Sequence, residues 1–200
     1  MSDTNTGKAA IRKRLREILA GMTDQQRHAK SVAACALITS SREFASAGTI
    51  MLYLSSPQEV DTSPLALRAW QTGKTVVVPK VNWNQRHMLP VEITSLHSDI
   101  TTSGIGVREP VGGKPVPINL IDMVIVPGLG FSTTGQRIGR GMGFYDRFLA
   151  IPEFLGLSCG LGFEEQVIEQ LPTLDHDMPL SMLVTDTGIR RFASNCIENK

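Results

Sequence analysis

The run Met123-Val124-Ile125-Val126 contains no polar residue and is cut off at once by Pro127 and Gly128. It reads as a buried strand, and the chain beyond it must turn sharply. Pro127, Gly128 and Gly130 begin a loop and Gly135 marks a turn. Arg137-Ile138-Gly139-Arg140-Gly141-Met142-Gly143 then leads into Phe144–Leu149, a short helical pattern. Strand, glycine loop and helix is an arrangement that cradles phosphate. Glycines let backbone N–H groups approach an anion, and a helix N-terminus adds partial positive charge. Arg137 and Arg140 supply planar forks matched to phosphate oxygens. The spacing is neither Gly-x-x-x-x-Gly-Lys-Ser/Thr nor Gly-x-Gly-x-x-Gly. A tight strand-to-helix turn with solvated arginines is the competing reading. The alternate glycines Gly139, Gly141 and Gly143, the two arginines and the nearby Asp146 weigh against it.

Helical and strand patterns alternate around this stretch. Ile11, Leu15, Ile18, Leu19 and Met22 recur at helical spacing, so Lys8 to about Ala20 is an amphipathic helix. Thr23-Asp24-Gln25-Gln26 resembles a capping box and starts a second helix running to about Thr39. Thr49–Ser55 reads as the first central strand, ended by Ser56-Pro57. Thr62 or Ser63 caps a helix ending near Gly73, and Val76-Val77-Val78 lies in a strand over Thr75–Val81. His87–Ile93 forms a strand broken by Pro90, and 94–120 is a long loop. Leu157–Phe163 is a strand, Glu164–Leu171 a short helix and Met182–Thr185 the last strand. The alternation gives the α/β class, a mostly parallel sheet flanked by helices.

Two hundred residues, 42% of them hydrophobic, fit one domain over 1–200, with 1–6 and about 188–200 as loose tails. Twenty basic against nineteen acidic residues leave no global pull toward nucleic acid or anionic membrane. Cys35, Cys159 and Cys196 are odd in number and far apart, as expected of reduced thiols in the cytoplasm. No apolar run approaches membrane-spanning length, and the N-terminus has no apolar signal core. The first helix carries Lys8, Arg12, Lys13, Arg14 and Arg16 on its other face. That face is solvated, binds RNA, or is a cationic arm closing over a polyphosphate. Lys8 and Arg12, four apart, share one face.

Val126-Pro127-Gly128-Leu129-Gly130-Phe131, followed by Gly135-x-Arg137-x-Gly139-Arg140-Gly141-x-Gly143-x-Tyr145-Asp146, resembles the signature of the 5-formyltetrahydrofolate cyclo-ligase (methenyltetrahydrofolate synthetase) family. The resemblance extends from Lys8 to about Thr185. It implies a Rossmann-like, three-layer αβα sandwich and ATP-dependent closure of 5-formyltetrahydrofolate to 5,10-methenyltetrahydrofolate. By resemblance, Lys8 and Arg12 contact ATP. Glu59, within Glu59-Val60-Asp61-Thr62, binds the folate, with Leu54 and Met88 near it. Asp177, after His176, is a magnesium ligand. Asp146 and Asp177 together make a hard oxygen site suited to Mg²⁺. Arg137, Arg140 and the backbone at Gly139, Gly141 and Gly143 would hold phosphates, the two arginines acting in catalysis, with Tyr145 at the nucleotide. Gly106-Val107-Arg108-Glu109-Pro110 matches a further short motif ending in Glu-Pro. Partners are then ATP and a reduced folate, without nucleic acid or membrane, and the chain is expected to be a monomer. Ser132, Met142 and Phe144 depart from the pattern, where Asp, Gly or Lys, and Tyr are common. A non-catalytic nucleotide or sugar-phosphate binding module is the rival, as is an RNA-binding protein. Neither needs two magnesium carboxylates.

Overall fold

The computed structural model describes residues 2–102 and 108–192. Helix α1 (Ser2–Gly21) begins earlier than the expected Lys8, because nothing before that residue ends a helix and a single interior glycine, Gly7, costs only about 1 kcal/mol. Helix α2 (Asp24–Thr39) starts at a full capping box, with Thr23 Oγ1 accepting from Gln26 N–H at 3.1 Å. A short α3 (Arg42–Ser46), capped by Ser41, follows. Strand β1 (Thr49–Met51) leads to α4 (Ser63–Gln71), where Pro64 sits in the first turn. The Thr62 hydroxyl donates to the Tyr53 carbonyl at 2.7 Å, while Asp61 accepts from Ser63 N–H at 2.9 Å.

Strands β2 (Thr75–Asn82) and β3 (His87–Ile93) form a hairpin. Pro90 does not break β3. The strand lies at a sheet edge and Pro90 faces Pro79 in register, so both residues lacking an N–H fall at one rung of the ladder. The stretch expected as a loop holds a small ladder of β4 (Ile100–Thr102) with β5 (Arg108–Pro110). Residues 106 and 107 of the Glu-Pro motif lie outside the described residues.

Strand β6 (Met123–Val126) follows as expected. Between it and α5 (Phe144–Leu149) the chain forms a hairpin, β7 (Gly130–Ser132) with β8 (Arg137–Ile138), where sequence alone reads as open loop. After β9 (Leu157–Leu161), the expected helix over Glu164–Leu171 is one 3₁₀ turn, Glu164–Gln166, followed by β10 (Val167–Ile168). β-branched Val167 and Ile168 pair with Phe131 and Ser132 instead, a tertiary partner outweighing a helical pattern. Strand β11 (Met182–Val184) is joined antiparallel by β12 (Ile189–Arg191), which lies in the stretch expected to be a loose tail.

The main sheet has the order β12-β11-β9-β6-β1-β2-β3. Strands β1, β2, β6, β9 and β11 are parallel, and the antiparallel β3 and β12 close the two edges. The side-chain period of two divides β6 between two cores. Met123 and Ile125 join Leu15, Leu19, Ile38, Leu65 and Ala69 from α1, α2 and α4. Val124 and Val126 face the opposite way, toward Phe131, Phe148 and Leu149. Helices thus cover both faces, giving the expected α/β layers. No helix among the described residues is long and apolar enough to cross a membrane.

Carboxylates hold β12 in place. Glu164 accepts from Arg190 at 2.6 and 3.1 Å and from the hydroxyls of Thr185 and Thr187. Burial would raise its carboxyl, but these donors outweigh that and hold it at about 2. Arg191 grips Glu43 of α3 at 2.7 and 3.0 Å, which keeps Glu43 at about 2 as well. Both values lie below the ordinary 4.5, so this stabilisation is complete above pH 4.5 and is lost as pH falls toward 2. We predict that the melting temperature falls between pH 5 and 2.5, and by less in Glu164→Gln, whose own side chain does not titrate. Thermal melts across that range check this; equal slopes in the two proteins would remove Glu164 from the account.

Candidate active site

The parallel strands, numbered by chain order among themselves, lie 2-1-3-4-5. The order reverses between β1 and β6, and such a switch point opens a crevice at the strands' carboxyl ends. A cavity of about 990 Å³ lies there. Lys8, Arg12, Leu54, Glu59, Met88, Arg137, Gly139, Arg140, Gly141, Gly143, Tyr145, Asp146 and Asp177 all line it. The residues singled out from sequence are therefore gathered around one space, although they come from α1, the β1–α4 loop, β3, β8, α5 and the chain before β11.

The glycine loop is fixed from two sides. Gln166 donates to the Gly128 and Leu129 carbonyls at 2.8 and 3.1 Å, anchoring the end of β6. Arg12 Nε donates to the Gly139 carbonyl at 3.0 Å, tying α1 to the far end. A Cβ on Gly139 would lie 2.8 Å from Arg137 Nη1, so glycine is what lets this guanidinium pass beneath the loop. Gly143, just before α5, has φ +66°, a conformation that side chains disfavour.

Three of the four cations here meet a carboxylate, and Arg12 meets the Gly139 carbonyl instead. Lys8 is 4% exposed and its ammonium is paired with Asp177, which a buried lysine needs. Arg137 Nη2 meets Asp146 Oδ1 at 2.8 Å, and the guanidinium lies 5.8 Å from the Tyr145 ring. Arg140 reaches Ser56 Oγ at 3.2 Å and Glu59 Oε1 at 3.4 Å, but its side chain is 54% exposed and free to swing. Met178 N–H donates to Asp146 Oδ1 at 3.4 Å and Leu174 N–H to Asp177 Oδ2 at 2.8 Å, so Asp146 is bonded to the residue that follows Asp177. Asp146 Oδ2 and Asp177 Oδ1 have no hydrogen-bond donor among the described residues. Arg137 Nε, buried, likewise has no acceptor. An unpaired buried donor costs about 1–3 kcal/mol, which an incoming anion would recover. Burial, and then the charge of Glu59, push the Tyr145 hydroxyl well up, so it stays a neutral donor.

Glu59 is presented by a rigid turn. Its Oε2 accepts from Ser56 N–H at 2.9 Å, and the buried Tyr53 hydroxyl holds the Val60 carbonyl at 2.9 Å. Leu54, Met88, Val81 and Trp83 give this side of the cavity an apolar wall. A neighbouring groove of about 500 Å³ shares Met88, Phe144 and Arg147 with it.

The model of the 5-formyltetrahydrofolate cyclo-ligase family matches residues 4–186. The chain belongs to this family. It is 31% identical over 146 residues to the 5-formyltetrahydrofolate cyclo-ligase of Escherichia coli K12, covering 72% of this chain and 80% of that one. Against the mouse protein of the same name it is 26% identical over 184 residues, 87% and 91% of the two chains. The NMR structure of Aquifex aeolicus 5,10-methenyltetrahydrofolate synthetase matches with a TM-score of 0.81 at 30% identity, over 93% of both chains.

The three departures from the cyclo-ligase pattern now have addresses. Ser132 is buried outside the cavity, where its Oγ accepts from Thr134 and Gln136 N–H at 3.2 and 2.9 Å. It holds the β7–β8 turn by a hydroxyl, a role short polar side chains share with Asp. Met142 and Phe144 line the cavity, and Phe144 meets Trp83 edge to face at 5.4 Å. His176 is exposed on the cavity rim and His87 is the exposed first residue of β3. Sequence reasoning missed Tyr53, Trp83, Arg86 and Asp175. For Trp83 the available signal was a lone indole in the polar turn Asn82–Arg86.

Gly139→Ala tests the loop. The added methyl must push the Arg137 guanidinium off its pose beside Asp146. We expect retained folding by circular dichroism and a fall in turnover of about 10²-fold, the scale of a 1 Å misplacement. Steady-state kinetics check it.

Proposed function

We propose that this chain catalyses ATP- and Mg²⁺-dependent cyclisation of 5-formyltetrahydrofolate to 5,10-methenyltetrahydrofolate, releasing ADP and phosphate. The observation that carries this reading is the meeting, in one cavity, of a cation-rich glycine loop, the carboxylates Asp146 and Asp177, and an apolar wall with Glu59 beside it.

A formamide oxygen is a poor leaving group. Transfer of the γ-phosphoryl to that oxygen, with N5 donating its lone pair, makes it a good one. N10 then attacks the formyl carbon, gives up its proton, and phosphate departs. Nothing in this sequence needs a protein nucleophile. It needs positioning and charge neutralisation. In this reading Lys8, Arg12, Arg137 and Arg140 hold the phosphates, with the backbone at Gly139, Gly141 and Gly143 close to them. The unpaired Arg137 Nε–H supports this, since an anion is the partner it lacks. Tyr145 donates from its neutral hydroxyl at the nucleotide. Glu59 accepts from the amide and amine of the pterin, whose rings lie against Leu54 and Met88.

Asp146 and Asp177 fit a hard cation. They offer oxygen only, they line one cavity, and each keeps an oxygen without a protein donor among the described residues. When bound there, Mg²⁺ would neutralise charge on the transferring phosphates. Lys8 and Arg137 would pass from these carboxylates to the phosphates.

Incubation with 5-formyltetrahydrofolate and Mg-ATP should produce methenyl absorbance, and omission of ATP or addition of excess chelator should abolish it. Turnover unchanged in chelator would remove the metal from the scheme. Glu59→Gln should weaken folate binding about 10- to 100-fold and spare ATP, as expected for about 1.5–3 kcal/mol of charge-assisted bonding. The reverse pattern, ATP lost and folate kept, would reassign the pocket. Arg140→Ala should lower kcat by about 10³-fold, and Arg140→Lys by less, because lysine keeps the charge and loses the planar fork. Wild-type turnover in a folded Arg140→Ala protein would exclude the loop from catalysis.

A further inference from the structure

The cavity holds a second charged region that the reaction above does not use. Four cations, Lys8, Arg12, Arg137 and Arg140, share the cavity with four carboxylates, Glu59, Asp146, Asp175 and Asp177. The remaining charged lining residues are three arginines, Arg86, Arg108 and Arg147, against Glu109 alone.

These arginines sit on three elements that one contact joins. Trp83, in the β2–β3 turn, meets Phe144 of α5 edge to face and donates its indole N–H to Glu109 Oε1 of β5 at 3.3 Å. The hairpin, α5 and β5 are thereby joined, and each brings one arginine: Arg86 three residues beyond Trp83, Arg147 three beyond Phe144, Arg108 next to Glu109. None of the three is in an ion pair with a described residue. Arg147 spends one donor on the Met142 carbonyl at 2.8 Å and stands between the cavity and the neighbouring groove. Arg86 has φ +52° and is the one non-glycine residue with positive φ among those described. Backbone preference at such a turn favours Gly or Asn, so an arginine there costs energy that its side chain must repay in some other way.

We propose that Arg86, Arg108 and Arg147 form an anion subsite, distinct from the phosphate loop, that takes the carboxylates at the glutamate end of the folate. The proposal rests on the folate reading above and adds to it. A folate is anionic only at that end, where two carboxylates follow an aromatic amide. Guanidinium forks match carboxylates in geometry, and the Trp83–Phe144 wall offers apolar surface to the aromatic ring beside them. The site thus has one cationic region for each anionic partner, nucleotide and folate.

The test compares Kd values, by calorimetry, for 5-formyltetrahydrofolate, for 5-formyltetrahydropteroate, which lacks the glutamate, and for ATP. The proteins are the wild type, Arg86→Gly and Arg147→Gln. Glycine at position 86 removes the guanidinium without straining the turn, and a thermal melt confirms folding. We expect each variant to bind the glutamate-bearing folate about tenfold or more weakly, with ATP affinity kept. The truncated folate should bind the wild type weakly and the variants no worse. Equal losses for both folates, or a loss for ATP instead, would overturn the subsite. Wild-type turnover of 5-formyltetrahydrofolate is the separate control. If it is present while the glutamate makes no difference to binding, the subsite fails and the activity stands.

Discussion

Everything at this site hangs on the burial of β6 between β1 and β9. Its four residues are fully enclosed, and their alternation gives each of the two helical layers a pair of side chains to pack against. A one-residue slip would exchange those faces, so the register is strongly specified. With β6 fixed, Pro127 falls at the strand's end and the glycine loop must begin at the crevice beside β1. Gln166, recruited from beyond β9, then fastens the first loop carbonyls. The chemistry is thus positioned by packing that takes no part in it.

The second organising constraint is charge. A buried lysine and a nearly buried arginine are expensive in isolation. Here Lys8 and Arg137 are neutralised by Asp177 and Asp146, which are themselves cavity residues. In the proposed reaction the same carboxylates and cations exchange partners with a metal and a polyphosphate.

Local structure is legible in the sequence where the chain's own chemistry decides it. The capping box at Thr23, the apolar run of β6 and the six-residue α5 needed no tertiary partner to be legible. Structure is not legible where a distant partner decides it. Val167-Ile168 pair with β7, Pro90 is tolerated because β3 is an edge, and Ile189–Arg191 become a strand because β11 and Glu164 receive them. The β7–β8 hairpin was hidden because its glycines read as loop. The signature and its arginines were visible as a pattern, and the resemblance supplied Glu59, Leu54, Met88 and Asp177. The Trp83 contact was not visible, since it joins three elements far apart in sequence.

The antiparallel strands at the two ends of the main sheet have a further consequence. A parallel sheet left open would present rows of free backbone donors and acceptors to other chains, a template for edge-to-edge aggregation. On one side β3 is covered, its Glu92 N–H spent on the Lys114 carbonyl and its Pro90 carbonyl on Val116 N–H, with Pro115 bridging Val91. On the other, β12 is three residues long and its Arg190 and Arg191 are spent on Glu164 and Glu43, so it offers another chain only a short edge. The fold thus guards its margins by two different means, a covering segment and a very short edge strand, while its centre remains devoted to the crevice.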